Sequence, residues 1–213
     1  MPAASGSRPD CTVNTPQALR ELYPVAKERA LRKELDHLDV HCRRFIELSP
    51  FVVLASADAA LRLDASPRGG EPGFVKAPDA HTLLLPDAPG NHRLDTLDNV
   101  VHTGRLGLLF LIPGFDETLR VNGSAQLATD VPGAALVASR TGQRRAPVHI
   151  RVRVEQAYLH CAKAFMRSRL WDPAARVDRS VLPTMGRMLS EQAGLPGADE
   201  TPEQMRQRYL DDL

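Results

Sequence analysis

Two short stretches concentrate the side chains able to bind an anion. Leu61-Arg62-Leu63-Asp64-Ala65-Ser66 reads as a strand that empties into a Pro67-Arg68-Gly69-Gly70 turn. Glycines there let the backbone approach a ligand closely, and Arg68 supplies a fork of donors suited to phosphate. Further on, Asp87-Ala88-Pro89-Gly90-Asn91-His92-Arg93 is a second turn carrying a guanidinium, and it opens a predicted helix over 94–101. A helix N-terminus beside an arginine is an anion site in its own right. Two such sites, each following a strand, point to one phosphorylated ligand held between them. Asn91 and His92 flank the second; His92 either touches the phosphate or faces water.

Other chemistries find less support. Ser66 precedes a proline rather than sitting in a G-x-S-x-G elbow, which disfavours nucleophilic hydrolysis. His41-Cys42 and His160-Cys161 are adjacent pairs whose side chains diverge on a helix or strand, so no metal site is expected. The three cysteines, Cys11, Cys42 and Cys161, form no CxxC pair and no disulfide framework, which suits a reducing cytoplasm. A formal net charge of +1 gives no reason for bulk attraction to nucleic acid or an anionic membrane. Arg140, Arg144, Arg145, Arg151 and Arg153 read as a solvated basic face. Residues 1–10 are small and polar with no apolar run behind them, unlike a signal peptide.

The elements that must position these residues follow from periodicity. At 213 residues, with 43% hydrophobic and 25% charged, one domain with a substantial core is expected. Its parts are a tail and helical arm over 1–49, a barrel over 50–160, and helices over 161–213 packing on it. Thr15-Pro16 reads as N-cap and first helical residue of a helix-like stretch over 17–48, divided at Pro24 and ended by Ser49-Pro50. Short strands begin at Phe51, and residues 74–77 and 82–85 form a hairpin across a Pro78-Asp79-Ala80-His81 turn. Leu106-Gly107-Leu108-Leu109-Phe110-Leu111-Ile112 is continuously apolar, as in a strand buried on both faces. Another strand spans 117–129, and a short helix over 131–139 is capped by Asp130. Val148, Ile150, Val152 and Val154 then alternate with His149, Arg151, Arg153 and Glu155, which gives a half-buried strand with His149 on the wet side. Helices are predicted over 162–170, 179–193 and 202–210. Six or seven antiparallel strands with flanking helices make a mainly β barrel.

Several of these pieces, in this order, resemble the pyridoxamine 5'-phosphate oxidase-like flavoproteins, which are FMN-binding split β-barrels. They are Asp64-Ala65-Ser66-Pro67-Arg68-Gly69, Leu83-Leu84-Leu85-Pro86-Asp87, Gly90-Asn91-His92-Arg93-Leu94-Asp95-Thr96-Leu97-Asp98-Asn99, Arg105-Leu106-Gly107-Leu108-Leu109-Phe110, and Glu117-Thr118-Leu119-Arg120-Val121-Asn122-Gly123-Ser124-Ala125. The resemblance implies FMN as cofactor, with Ser66, Pro67, Arg68, Gly69 and Arg93 at its phosphate. It runs the backbone of Leu85, Pro86 and Asp87 past the flavin. Thr118 and Arg120, on one face of a strand, either contact the ring or, for Arg120, pair across strands with Asp or Glu. Lys163 and Arg167, four apart, reach a phosphate or acidic substrate. Trp171 either stacks near the isoalloxazine or anchors the core or a dimer interface. A cytoplasmic homodimer with FMN at the interface and a small-molecule substrate is implied, acting as an oxidoreductase. The same barrel also serves non-catalytic flavin or haem binders and deazaflavin-dependent reductases. Authentic oxidases end in an Arg-Leu-His-Asp-Arg-like segment; here Arg206-Gln207-Arg208-Tyr209-Leu210-Asp211-Asp212 lacks the histidine, and Arg208 and Asp212 are spaced to pair.

Overall fold

The computed structural model describes residues 12–88, 90, 92–129, 131, 136–139, 142–194, 196 and 200–212. The chain divides into two compact units, Met1–Glu34 and Leu35–Leu213. In the first, helix α1 (Pro16–Glu21) opens on Thr15, whose hydroxyl accepts the Ala18 amide, with Pro16 in the first turn. Pro24 follows, and α2 (Glu28–Arg32) restarts beyond it. The stretch expected to be helical over 17–48 is broken again before Asp39. Leu31 is exposed, and Leu35, in the second unit, makes an antiparallel bridge to Ala157.

The second unit begins with α3 (Val40–Leu48), capped by the Asp39 carboxylate on the Cys42 amide; it turns Cys42, Phe45 and Ile46 into the core. Strands β1 (Phe51–Ala57), β2 (Leu63–Gly69) and β3 (Thr82–Pro86) come next, then α4 (Asp95–Thr103), β4 (Arg105–Leu111) and β5 (Thr118–Ala128). After the hairpin of β6 (Leu136–Ser139) and β7 (Gly142–Arg145) come β8 (His149–His160), α5 (Lys163–Ser168), α6 (Met185–Ala193) and α7 (Pro202–Asp212). Six strands form one antiparallel sheet in the order β2-β1-β4-β5-β8-β3. The sheet curls: Arg68 on one edge strand lies 3.9 Å from Asp87 just beyond the other edge strand. This is the curled half-barrel with flanking helices of a split β-barrel.

One face of every central strand fills the barrel. Val52, Leu54, Leu108, Phe110, Leu119, Val121, Ile150, Val152 and Val154 pack with α3 and α4 side chains into one cluster. Burial of this apolar surface is the main stabilising term. A bulge between Asn122 and Gly123 shifts the β5–β8 register, and a Cβ at Gly123 would run into the Arg153 carbonyl, so only glycine fits there.

Five expectations are corrected. Pro67-Arg68-Gly69 is not a turn but the end of β2, paired with Phe51, Val52 and Val53; proline is tolerated because β2 is an edge strand. Leu106–Ile112 is not dry on both faces: Leu106, Leu108 and Phe110 are buried, whereas Gly107, Leu109 and Leu111 are half-buried. The helix expected over 131–139 is replaced by β6, because Leu136–Ser139 finds hydrogen-bonding partners in β7; Asp130 lies outside the described residues. His149 breaks the alternation, being 3% exposed with neither ring nitrogen hydrogen-bonded among the described residues. The hairpin expected before β3 is reduced to one bridge, Lys76 to Leu84.

Candidate functional site

Strand alternation gives Asp64, Ser66 and Arg68 one face of β2, the half-buried one. Their cross-strand partners on β1 are Ser56, Leu54 and Val52, so this face continues the barrel interior at its edge. Asp64 gathers the neighbouring donors. Ser66 Oγ donates to both of its oxygens at 2.9 and 3.1 Å, Thr96 Oγ1 donates from the first turn of α4, and Ser56 Oγ lies at 3.4 Å. Asn99 Nδ2 in turn donates to Ser56 Oγ at 2.9 Å. This network holds the start of α4 against β1 and β2.

The α4 N-terminus points at the same region. Leu94 occupies the cap position with φ 58°, and its side chain makes no capping hydrogen bond. The helix dipole favours an anion at this end. Arg93 beside them donates to Asp95 Oδ2 at 2.7 Å and is largely exposed. His92 is exposed with φ 59°, and Asn91 lies outside the described residues.

Arg68 is the half-buried cation of the cluster. Its Nη1 donates to the Pro67 carbonyl at 3.0 Å, and its Nε stands 3.9 Å from Asp87 Oδ1, beyond hydrogen-bond length. Most of the guanidinium fork is thus not engaged by Asp87. Burial pushes the Asp87 carboxyl above its usual value, against the opposing pull of Arg68. The Asp87 amide donates to the Val148 carbonyl at 2.9 Å, which fixes the loop leaving β3. Leu85 and Pro86 are buried, so any contact they make with a ligand is through the backbone. Gly69 is exposed, whereas Gly70 is needed for packing: a Cβ there would lie 2.8 Å from the Phe74 side chain.

The structure thus brings Ser66, Arg68 and Asp87 together with the start of α4, and sets the remaining predicted residues elsewhere. Thr118 and Arg120 belong to the opposite face of the sheet, since Leu119 and Val121 between and beside them point into the core. Arg120 pairs across strands not with a carboxylate but with Tyr158, donating to its hydroxyl at 2.8 Å. Lys163 and Arg167 are exposed on α5. Trp171 Nε1 donates to the Phe115 carbonyl at 2.8 Å, and its ring stacks on Phe165, which ties the end of α5 to the β4–β5 turn. Arg208 is held by Glu200 through two 3.0 Å hydrogen bonds; the expected pairing with Asp212 falls on a side chain outside the described residues.

Asp64, Thr96, Asn99 and Tyr158 were not singled out from the sequence. The signal for Asp64 was present: Asp64-x-Ser66-x-Arg68 has the period of two that puts all three on one strand face. Reading Pro67-Arg68-Gly69 as a turn concealed it.

Among the described residues, no helix is long and apolar enough to cross a membrane. No curated protein matches the chain. Among solved structures, a putative pyridoxamine 5'-phosphate oxidase from Lactobacillus delbrueckii is 16% identical, covering 59% of this chain and 98% of that one, with TM-score 0.44. HupZ from Group A Streptococcus is 13% identical over 56% of this chain and 90% of its own, with TM-score 0.43. The haem storage protein HutZ from Vibrio cholerae is 13% identical over 58% and 93%, with TM-score 0.39. The family model for pyridoxamine 5'-phosphate oxidase matches residues 38–161, which contain the whole six-stranded sheet together with Ser66, Arg68, Asp87 and α4, and the chain belongs to that family.

Proposed function

We propose that the protein binds FMN and works as an FMN-dependent oxidoreductase on a small molecule still to be identified. The observation that carries this is the face of β2 that bears Asp64, Ser66 and Arg68 meeting the start of α4, where Thr96 donates to Asp64. A hydroxyl, a guanidinium with donors to spare and a set of helix-terminal amides suit a phosphate dianion. Bound FMN would supply the two-electron redox chemistry, which no side chain of the cluster provides. The chain's part is then positional. Arg68 and the α4 amides anchor the phosphate, with Arg93 and Asn91 beside it. Ser66 is oriented by Asp64, and the backbone of Leu85, Pro86 and Asp87 borders the ring.

Thr118, Lys163, Arg167 and Trp171 do not share the face that carries Ser66 and Arg68. Their assignment to the flavin requires a second copy, and we propose a homodimer with FMN at the interface, in the cytoplasm. Titration of the apo-protein with FMN and riboflavin, followed by flavin fluorescence, tests the reading. FMN is expected to bind much more tightly than riboflavin. Arg68→Ala should weaken FMN by about 1.5–3 kcal/mol, or about ten- to 150-fold, and leave riboflavin unchanged. Equal losses for both ligands would place the effect in folding. A Soret or deazaflavin band in the purified protein, with no flavin uptake, would replace the reading outright.

A further inference from the structure

Helix α4 is tied to the sheet by polar side chains at Thr96, Asn99 and Thr103, spaced three and four residues apart and so on one helix face. Thr103 Oγ1 donates to the Ala57 carbonyl at 3.1 Å, and Asn99 Nδ2 donates to Ser56 Oγ at 2.9 Å, both on β1. Thr96, in the first turn, donates instead to Asp64 on β2. Thr96, Asn99 and Ser56 are all buried, so each depends on its partner. Leu97 and Val100 hold the same helix to the apolar core.

The protons of this network run toward Asp64. Ser66 Oγ donates to its two oxygens at 2.9 and 3.1 Å, and Thr96 Oγ1 donates to Oδ2. Ser56 Oγ, itself supplied by Asn99, lies 3.4 Å from the same Oδ2. An ionised carboxylate accepts and never donates, so it alone suits a position where three hydroxyls converge. An amide there would accept at one atom and add two N–H donors to hydroxyls that already donate. Without the carboxylate, α4 keeps its ties at Asn99 and Thr103 and its apolar packing at Leu97 and Val100. Its first turn, beside Ser66, loses the bond from Thr96.

We infer that Asp64 is a positioning residue for phosphate recognition. It fixes the first turn of α4 against the strand face that carries Ser66 and Arg68, and this placement separates FMN from its phosphate-free analogue riboflavin. The inference rests on the flavin reading above. Ser66 has one hydroxyl proton; when it turns to a phosphate, Thr96 still serves Asp64, so the carboxylate keeps a donor. The charge of Asp64 repels a phosphate, but the hydroxyls that converge on it offset much of that repulsion, and placement dominates. Asp87 differs, because it faces the Arg68 guanidinium itself and competes for it.

Fluorescence titrations with FMN and riboflavin test this on the full chain. Asp64→Asn should weaken FMN about five- to thirtyfold and leave riboflavin within about twofold, so the preference itself falls. Thr96→Val should act in the same direction, and Thr96→Ser, which keeps the hydroxyl, should retain the wild-type preference. Asp64→Asn and Thr96→Val together should lose no more than Asp64→Asn alone, because both break one tie. Melting curves report whether the variants fold; should Asp64→Asn not fold, Thr96→Val against Thr96→Ser carries the comparison. Equal losses for both flavins would make Asp64 a purely structural residue and overturn the inference. So would an unchanged preference, tighter FMN binding by Asp64→Asn, or losses that multiply in the double variant. A wild type with no preference for FMN would refute the flavin reading and this inference with it. A preference that ignores residues 64 and 96 refutes the inference alone.

Discussion

Replacing Asp87 by asparagine should raise FMN affinity, although it removes a polar partner of the proposed phosphate anchor. Asp87 Oδ1 stands 3.9 Å from Arg68 Nε, with the two side chains 17% and 23% exposed. At that separation and an effective dielectric of about 20, the gross attraction is about 4 kcal/mol. Solvent screening and relaxation reduce what a competing phosphate must overcome to about 1–2 kcal/mol, so Asp87→Asn should tighten FMN about five- to thirtyfold. The amide keeps the shape of the side chain and removes its charge. Fluorescence titration with FMN, with riboflavin as the phosphate-free control, gives the number directly. Unchanged or weaker FMN binding by a folded Asp87→Asn protein would refute the competition and make Asp87 a support for Arg68.

The same carboxyl predicts a pH dependence. Burial raises its value in the folded protein. The folded chain then holds more protons than the unfolded one just above the ordinary carboxylate range. Its contribution therefore favours folding at the acid side of that window and is lost as pH rises through the raised value. FMN affinity should carry a matching component that grows as Asp87 protonates, absent in Asp87→Asn. Protonation of the phosphate itself, near pH 6, opposes binding in both proteins alike.

His149→Leu should raise stability by about 1–3 kcal/mol in thermal melts, because it removes a buried imidazole with no hydrogen bond at either nitrogen among the described residues; a lower melting temperature would show that the ring has a structural partner. Cys42 should resist iodoacetamide in the native protein while Cys161 is alkylated: burial and the Asp39 carboxylate push the Cys42 thiol up to about 12, and Cys161 is exposed. Comparable labelling of both by peptide mapping would contradict that burial. The FMN-loaded protein should show negligible oxidation of pyridoxamine 5'-phosphate, since the C-terminal segment lacks the oxidases' histidine and Arg208 is engaged by Glu200. Oxygen-dependent product formation at about one turnover per second or faster would overturn that expectation.

The strands that build the sheet were legible in the sequence because their signals are local. Alternation in Val148 to Glu155 and the apolar run from Leu106 marked β8 and β4, and Thr15-Pro16 marked a helix start. Ser66, Arg68 and the start of α4 were also named as candidates, since a helix terminus and an adjacent guanidinium favour an anion wherever they lie. Tertiary structure decided the rest. Pro-Arg-Gly has the composition of a turn, and pairing with β1 made it an edge strand. Leu136–Ser139 became a strand because β7 offered hydrogen bonds that a lone short helix could not replace. His149 was wet by its strand period and is dry in the fold. No spacing rule couples Arg68 to Asp87 or Asp64 to Thr96, because those meetings depend on how the sheet curls and where α4 docks. For the same reason the sequence could not show that Arg120 lies on the other face from Arg68, or that it faces a phenol instead of a carboxylate. Periodicity fixes which residues share a strand face; only the packed chain fixes which charges meet across it.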